Sequence, residues 1–308
     1  MTAERRFRTY AQVEATADDV PAQVRAQRDR LDRRLTAIGA VWMVASGKGG
    51  VGKSALTANL AAALGARGLR VGAVDADLNG PSLARMLGAG PGGLGVDDDG
   101  VRPAGGVAGV RLIGMDLLLE AEDAPVRWKE PGTGGFIWQS TLETGALREF
   151  IADVAWGGLD TLLLDLPPGT DKLARAFELV PRPTGVLLVT TPSEAARAVV
   201  LRAARQVREL GIERIGLVAN MTAHACSECG HREPLFGDDG ARRLAEQAGL
   251  EVWAEIPFHP RLARRTDHGR PLVLDEPANP AAAAILELAD RLAAITATDG
   301  PRTPEAGP

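Results

Sequence analysis

Residues 46–54 read SGKGGVGKS. An apolar run (residues 40–45, AVWMVA) precedes this stretch, and a run rich in Ala and Leu (residues 55–66) follows it. The order strand, glycine-rich loop, Lys-Ser and helix predicts a phosphate-binding P-loop, whose backbone N–H groups surround phosphate oxygens. The lysine of this motif reaches the β- and γ-phosphates, and its serine holds Mg²⁺. The positions predicted to contact a nucleotide here are Gly47, Lys48, Gly49, Gly50, Val51, Gly52, Lys53, Ser54 and Ala55.

A second lysine, Lys48, follows the first glycine of the loop, where an ordinary P-loop needs none. This variant resembles the deviant P-loop of the dimeric ATPases that include nitrogenase iron protein, the arsenite pump ATPase and the septum-site and partition ATPases. The resemblance implies that Lys48 reaches across a dimer interface to the partner's nucleotide, as an arginine finger supplied in trans does. The alternative is a solvated loop lysine.

Composition restricts the class of protein. The 308 residues fit one large domain or two small ones, and 45% hydrophobic residues can form a sizeable core. A net charge of −5 predicts no general affinity for nucleic acid or for anionic membranes. The first 19 residues have no apolar core typical of a secretory signal, and no run of 18 apolar residues predicts a membrane span. The two cysteines form no disulfide framework, which indicates the reducing cytoplasm. From the charge and the lack of a membrane span, we expect no nucleic-acid and no membrane partner.

Predicted strands and helices alternate along the chain, which is typical of an α/β fold with a doubly wound, mostly parallel sheet flanked by helices, the P-loop NTPase fold. After the first strand, further strands are predicted at residues 69–77, 111–119, 160–166, 184–192, 215–221 and 252–257. Helices are predicted at residues 20–38, 55–66, 142–154, 194–210 and 278–293. We expect a helical extension (residues 1–39), a P-loop domain (residues 40–295) and a disordered tail (residues 296–308).

Carboxylates follow two of the predicted strands. Asp75 and Asp77 lie at the end of one strand, and Asp165 ends another, before residues 167–171 (PPGTD). Ligands of open α/β sheets bind at the carboxyl ends of the strands, so these residues are candidates for Mg²⁺ and the attacking water. An apolar strand ending in Asp is the Walker B pattern, and the residues after it predict a loop that senses the γ-phosphate. The alternative is a β-turn after an ordinary strand. A run of three aspartates at residues 97–99 predicts a solvated turn.

Cys226 and Cys229 have the C-x-x-C spacing of a zinc or iron–sulfur site, but they supply only half of the four ligands required. His224 and His231 could complete a local zinc site at the cost of strained geometry. The pair could instead be a redox dithiol, although it does not have the thioredoxin-like context. A second copy of the chain could supply the other two cysteines, which would also account for Lys48.

Several motifs occur together in the order seen in Mrp/ApbC-type iron–sulfur cluster carrier ATPases, and the chain resembles that family over residues 40–293. These motifs are SGKGGVGKS, DADLNGPS, DLPPGT, NM followed by CSECG and LFG, and EIPFHPRLARRTDHGRPLV. The resemblance implies a homodimeric, Mg²⁺-dependent ATPase that binds ATP, holds a [4Fe–4S] cluster between its subunits and transfers it to apo-proteins.

The resemblance also implies roles for individual residues. In the P-loop, Lys53 and Ser54 bind phosphates and Mg²⁺, and Lys48 acts in trans. Asp77 positions the attacking water, with Asp75 beside it, and Asp165 serves Mg²⁺ through water. The remaining implied contacts are to adenine by Asn220 and the region of Pro257, and to the cluster by Cys226 and Cys229.

Two stretches depart from the family pattern. The family usually has PPGTGD, whereas Thr170 here runs directly into Asp171, which implies slow or differently coupled hydrolysis. Residues 128–132 (WKEPG) replace the family's W-R-G-P-M. Two other functions stay open: a partition or septum-site type positioning ATPase, and a regulatory ATPase with a structural zinc at the C-x-x-C pair. The acidic chain and the absence of a basic amphipathic helix at its C-terminus argue against the first.

Overall fold

The apolar run before the P-loop forms the central strand of the sheet, β1 (Ile38–Ala45). The computed structural model describes residues 20–90, 94–118, 136–225, 231–237 and 239–299. In β1 every residue except Gly39 is buried, as expected of a strand covered by helices on both faces. Its side chains alternate between two cores: Val41 and Met43 pack on one face of the sheet, and Trp42 and Val44 pack on the other.

Within the described residues, β1 belongs to a sheet of nine strands. The other eight are β2 (Val71–Asp75), β5 (Ala104–Gly105), β6 (Arg111–Ile113), β7 (Leu159–Asp165), β8 (Gly185–Thr190), β9 (Ile215–Ala225), β10 (Arg232–Pro234) and β11 (Glu251–Phe258). The strands lie in the order β10-β9-β8-β1-β7-β2-β6-β5, and β11 pairs with β9. All pairs are parallel except the two formed by the short strands β5 and β10 with their neighbours. A separate hairpin consists of β3 (Val96–Asp97) and β4 (Gly100–Val101). The predicted doubly wound, mostly parallel α/β sheet is confirmed.

Ten helices of the described residues cover the two faces of this sheet. They are α1 (Val20–Thr36), α2 (Lys53–Ala66), α3 (Leu83–Met86), α4 (Phe136–Ala152), α5 (Thr170–Leu179), α6 (Glu194–Glu209), α7 (Gly240–Ala248), α8 (Pro260–Thr266), α9 (Leu272–Asp275) and α10 (Pro280–Asp299). The core around α2 and α10 is built largely from Ala and Leu, and the small Ala side chains let the two helices lie close to the sheet. The opposite core contains side chains of α1, α4, α5, α6 and α7, for example Leu31, Ile151, Leu173, Val200 and Leu244.

Several predicted boundaries differ from the structure. The strand predicted at residues 111–119 ends at Ile113, and a 3₁₀ helix (Met115–Leu118) follows after Gly114, where a Cβ would lie 3.0 Å from Asp75 Cβ. The helix predicted to end at residue 293 continues to Asp299, and the buried Thr296 hydroxyl donates to Leu292 O. β1 begins at Ile38, inside the predicted extension. The division into extension, domain and tail stays a prediction, with its ends outside the described residues.

Candidate functional site: a P-loop at the carboxyl edge of the sheet

Three neighbouring strands end at the same edge of the sheet and bring the predicted site residues together. β1 lies beside β7, and Val44 pairs in register with Asp165. β7 lies beside β2 on its other side, and Asp165 pairs in register with Asp75. Because the chain leaves β1 directly into the P-loop, the loop and both carboxylates lie at one end of three parallel strands. This is the edge where open α/β sheets bind ligands.

The backbone of the P-loop depends on glycine at two consecutive turns. Gly50 has φ +78° and Gly52 has φ +82°, a left-handed conformation that costs other residues free energy. Gly52 also caps α2, and a Cβ at this position would lie 2.4 Å from Asn220 Nδ2. The loop can therefore curl around the start of α2, whose free N–H groups attract anions.

Asp165 is the centre of a buried hydrogen-bond network. Lys53 Nζ lies 2.8 Å from its Oδ1, and the Ser54 hydroxyl donates to its Oδ2 at 2.6 Å. Thr57, one turn further along α2, donates to Oδ1 at 2.8 Å. Asp165 is fully buried and Lys53 is nearly so. The two P-loop residues that would bind phosphate and Mg²⁺ are thus held on the Walker B carboxylate in this state.

Asp75 is also buried, and its surroundings oppose its charge. Burial, together with the neighbouring charge of Asp165, raises the pKa of Asp75 to about 7. The backbone N–H groups of Ser82 and Leu83, which donate to Asp75 Oδ2 at 2.8 and 2.9 Å, act in the opposite direction. A cation at this edge would relieve the repulsion between the two carboxylates.

Asp77, the residue predicted to position water, is half-buried and lies in the loop after β2. Its backbone N–H donates to Asp75 Oδ1 at 3.0 Å, and its own Oδ1 accepts from the N–H of Gly80 at 3.2 Å. The carboxylate is therefore engaged within its own turn.

Asn220 and Pro257, the residues predicted to contact adenine, lie on the neighbouring strands β9 and β11. The Asn220 amide donates to Val51 O at 2.8 Å, so in this state it supports the P-loop. Pro257 lines a cavity of about 390 Å³ together with Pro192, Thr222 and Glu255. The structure places the two residues at the same end of the sheet but gives them different surroundings.

The remaining P-loop residues differ in exposure. Lys48, Gly49 and Gly50 are exposed, whereas Val51 is buried and Gly47 and Ala55 are half-buried. Among the described residues, Lys48 has no ion-pair partner, in contrast to the buried Lys53. Its exposure leaves it accessible to a molecule outside this chain.

Cys226 and Cys229 lie outside the described residues, so the predicted cluster ligands stay a prediction. Their flanks are described: β9 leads to them, and β10 begins with Arg232, three positions after Cys229. His224 is exposed on β9, 6.2 Å between ring centroids from Phe258. No group of three or more His, Cys, Asp or Glu residues arranged for a metal occurs within the described part of the chain. The run of three aspartates is exposed at the turn between β3 and β4, as predicted.

Two polar residues of this edge were not predicted. Thr57 lies one helical turn after Lys53, and a threonine four residues on from the P-loop lysine was a signal for it. Asp116 follows β6 at the same edge; burial raises its pKa, and its charge raises the pKa of Asp75. Because the predicted strand extended to residue 119, Asp116 lay inside it and was not recognised as an acid that follows an apolar strand.

These residues fit a magnesium nucleotide. The loop carries glycines where a Cβ would collide, and it presents an ammonium group and a hydroxyl to the buried Asp165 carboxylate, which pairs in register with the buried Asp75. Such a set of oxygen donors is the type that Mg²⁺ prefers, with phosphate oxygens completing its shell. Among the described helices, none has the length and hydropathy needed to cross a bilayer.

Comparison with known proteins agrees with this geometry. A nucleotide-binding protein from Archaeoglobus fulgidus, solved in complex with ADP, is similar with a TM-score of 0.66 and 35% identity, covering 79% of this chain and 91% of that one. The iron-sulfur cluster carrier protein of Saccharolobus solfataricus is 36% identical over 82% of each chain. The cytosolic Fe-S cluster assembly factor NUBP2 of Bos taurus is 36% identical, covering 85% of this chain and 95% of that protein.

The family model described as ParA, NUBPL iron-transfer P-loop NTPase, matches residues 37–293. This match includes β1, the P-loop, both strand-end carboxylates and the cysteine pair. This match, together with the relatives that are about one-third identical over most of their length, establishes the family of the chain. The chain belongs to the iron-transfer P-loop NTPases of the ParA group.

Proposed function

We propose that the protein is an ATP-binding iron–sulfur cluster carrier: a homodimer that holds a [4Fe–4S] cluster and transfers it to apo-proteins in the cytoplasm, coupled to ATP binding and hydrolysis. The observation that carries the proposal is the convergence of Lys53, Ser54, Asp75 and Asp165 at the carboxyl ends of adjacent strands, in a chain that also has a C-x-x-C pair. The first feature supports nucleotide chemistry. The second, with the named relatives, supports a cluster as cargo.

ATP binding requires Lys53 to exchange partners. Its ammonium group now pairs with Asp165 in a buried site, where an unpaired charge would be costly. Phosphate oxygens take over that role when the nucleotide enters, and the loop N–H groups and the start of α2 hold the phosphate chain. Ser54 and Asp165 would hold Mg²⁺, which neutralises charge on the phosphates.

Hydrolysis also requires the loop after β2 to present Asp77 to a water. In the present state the Asp77 carboxylate accepts from Gly80 N–H. We infer that nucleotide binding replaces this contact and turns the carboxylate toward the site. The cavity lined by Pro192, Thr222, Glu255 and Pro257 is the proposed recess for adenine, with apolar rings for the base and a carboxylate for its amino group.

The dimer joins the two halves of the proposal. Exposed Lys48 acts on the partner's nucleotide, and two cysteines from each chain complete the four thiolate ligands of the cluster. Cluster binding and nucleotide binding then depend on the same association. This dependence provides a physical route by which ATP can change the retention of the cluster.

Anaerobic reconstitution with iron and sulfide, followed by Mössbauer spectroscopy, tests the cargo. We expect one [4Fe–4S] cluster per dimer, and its loss in Cys226→Ala with ATP binding retained. A dimer with intact thiols that takes up no iron contradicts the proposal. One tightly held zinc per chain without iron uptake would instead favour a structural zinc site.

The Lys53→Ala variant tests the nucleotide site. We expect ATP turnover to fall below detection, because no other described ammonium group lies at the start of α2. Arg202→Ala, which removes an exposed cation from α6, is the matched control and should retain turnover. Unchanged hydrolysis in Lys53→Ala contradicts the assignment of the P-loop.

A further inference from the structure

Glu143 of α4 joins the loop after β2 to the start of helix α5, which follows the loop after β7. Its Oε1 accepts a hydrogen bond from Asn79 Nδ2 at 2.9 Å, and its Oε2 accepts from Lys172 Nζ at 2.7 Å. Only 14% of the Glu143 side chain is exposed. One carboxylate therefore bridges two partners that are 93 positions apart in the chain and belong to different elements.

Both partners lie next to residues with assigned roles in the proposed function. Asn79 lies two residues after Asp77 in the first switch loop, defined as residues 76–82. Lys172 lies in the first turn of α5, directly after the second switch loop, defined as residues 166–170. The second switch loop also contacts the P-loop, since Gly169 N–H donates to Ser46 O at 3.0 Å. Glu143 thus connects the loop that carries Asp77 to the first turn of α5, the helix that directly continues the second switch loop.

The Glu143 carboxylate is held in its charged form. Burial by itself would raise the pKa of Glu143, but the hydrogen bonds from Lys172 and Asn79 and the charges of Lys172 and Arg175 outweigh burial and lower it. Arg175 Nη1 lies 3.9 Å from Oε2, so two cations of α5 face this carboxylate. Charge-assisted hydrogen bonds are stronger than neutral ones, particularly where water is excluded. The Lys172 end of the bridge is thus charge-assisted and partly buried, whereas the Asn79 end lies at the surface.

We propose that Glu143 is a positioning residue that couples the movements of the two switch loops, so that the rearrangement of Asp77 and the repositioning of the loop after β7 occur together. The inference rests on the proposed ATPase function but concerns a residue of α4 outside the P-loop. Switch loops order around a γ-phosphate, and a contact that links two such regions favours their ordering together. In this chain Glu143 supplies that contact.

Hydrogen–deuterium exchange of the nucleotide-free protein tests the coupling without depending on ATP turnover. Asn79→Ala removes one end of the bridge, and we expect faster exchange in residues 170–176, which Asn79 reaches through Glu143. When Asn79→Ala is added to a Glu143→Ala variant, the exchange rates of residues 170–176 should stay the same as in Glu143→Ala alone. If Asn79→Ala alone changes the exchange only of residues 77–82, the proposal is overturned.

Steady-state ATP hydrolysis supplies the second measurement. We expect Asn79→Ala and Lys172→Met each to lower kcat by about 3- to 10-fold, and the double variant to be no slower than the slower single variant, because both break one bridge. In the Glu143→Ala background neither substitution should lower kcat further. The Kd for ADP should stay within about twofold of wild type, since Glu143 does not touch the P-loop.

Controls separate positioning from folding. Glu178→Ala removes an exposed carboxylate of α5 and should retain kcat. Glu143→Gln, which can accept one of the two hydrogen bonds, should fall between wild type and Glu143→Ala. Effects of Asn79→Ala and Lys172→Met that multiply, or a parallel loss of ADP affinity, contradict the coupling. Absence of ATP turnover in the wild type would instead contradict the proposed function, and the exchange experiment would still decide on Glu143.

Discussion

The two edges of the sheet carry ion pairs of similar length in opposite surroundings. At the carboxyl edge, Lys53 and Asp165 lie 2.8 Å apart with 7% and 0% of their side chains exposed. At the amino edge, Arg291 and Glu251 lie 2.7 Å apart with 37% and 64% exposed. Arg291 also stacks on Trp253 at 4.1 Å from its ring centroid. Distance alone therefore does not distinguish the pair that serves the site from the pair that lies on the surface.

The surroundings decide what each pair contributes. Water screens the charges of Glu251 and Arg291, so either can lose its partner at small cost. Asp165 accepts hydrogen bonds from Lys53, Ser54 and Thr57, and removing it leaves a cation and two hydroxyls without that acceptor. The carboxyl edge is thus stable only when Lys53 has an anion, either Asp165 or a phosphate. This requirement makes the nucleotide a replacement for an internal partner.

Asp165→Ala should have the largest effect. It leaves the buried Lys53 ammonium unpaired, which typically costs about 3–5 kcal/mol, and we expect that loss in the free energy of unfolding measured with urea at pH 7. Asp165→Asn keeps one acceptor and should lose less. A loss below about 1 kcal/mol in Asp165→Ala would mean that the two edges do not differ as described.

Gly52→Ala should come next. The new side chain meets a left-handed φ of +82° and a contact 2.4 Å from Asn220 Nδ2, so it strains the backbone and displaces the amide that supports Val51. We expect a loss of roughly 1–3 kcal/mol in urea unfolding. Gly50→Ala is the matched control, because its φ is +78° but no atom lies within 4 Å of the new Cβ. Equal losses in the two variants would show that the collision with Asn220 contributes nothing.

Much of this edge could be predicted because its signals are local. Residues 46–54 carry a complete motif between an apolar strand and an Ala-rich helix, and Asp75 and Asp165 directly end apolar strands. Asp116 has the same signal, but a strand extended too far concealed it. The bridge at Glu143 has no local signal, since its partners Asn79 and Lys172 come together only when α4 packs beside both loops.

A third test concerns Glu149, a carboxylate whose exposure lies between that of the buried Asp165 and that of the exposed Glu251. Glu149 of α4 is half-buried. Burial and the charge of Asp153, opposed by Arg148, together raise its pKa to about 7. Between about pH 4.5 and pH 7, the Glu149 carboxyl therefore keeps its proton in the folded protein, whereas in the unfolded chain, with the ordinary pKa of 4.5, it releases the proton. This contribution to stability is complete below pH 4.5 and is lost as the pH rises to about 7.

Glu149→Gln removes this dependence. We expect the variant to unfold at higher urea than wild type above pH 7, by on the order of 1 kcal/mol once solvent screening of a half-buried group is allowed for, and to match wild type near pH 4.5. The difference between the two proteins, followed across that range, cancels the titration of other groups. A difference that is constant with pH, or a variant less stable at pH 8, would contradict the raised pKa.

The smallest effect is expected at the amino edge. Glu251→Gln weakens the pair with Arg291 but keeps an oxygen that can accept from Arg291 or from Trp253 Nε1, which now donates to Glu251 Oε2 at 3.0 Å. Because solvent reaches both side chains, we expect a loss below about 1 kcal/mol that shrinks further at high salt, where screening is stronger. The corresponding cost of Asp165→Ala should change little with salt, since its partners are buried. Urea unfolding of both variants at low and at high salt thus compares the two edges directly. If Glu251→Gln lowered the free energy of unfolding by several kcal/mol at every salt concentration, the two edges would not differ as described.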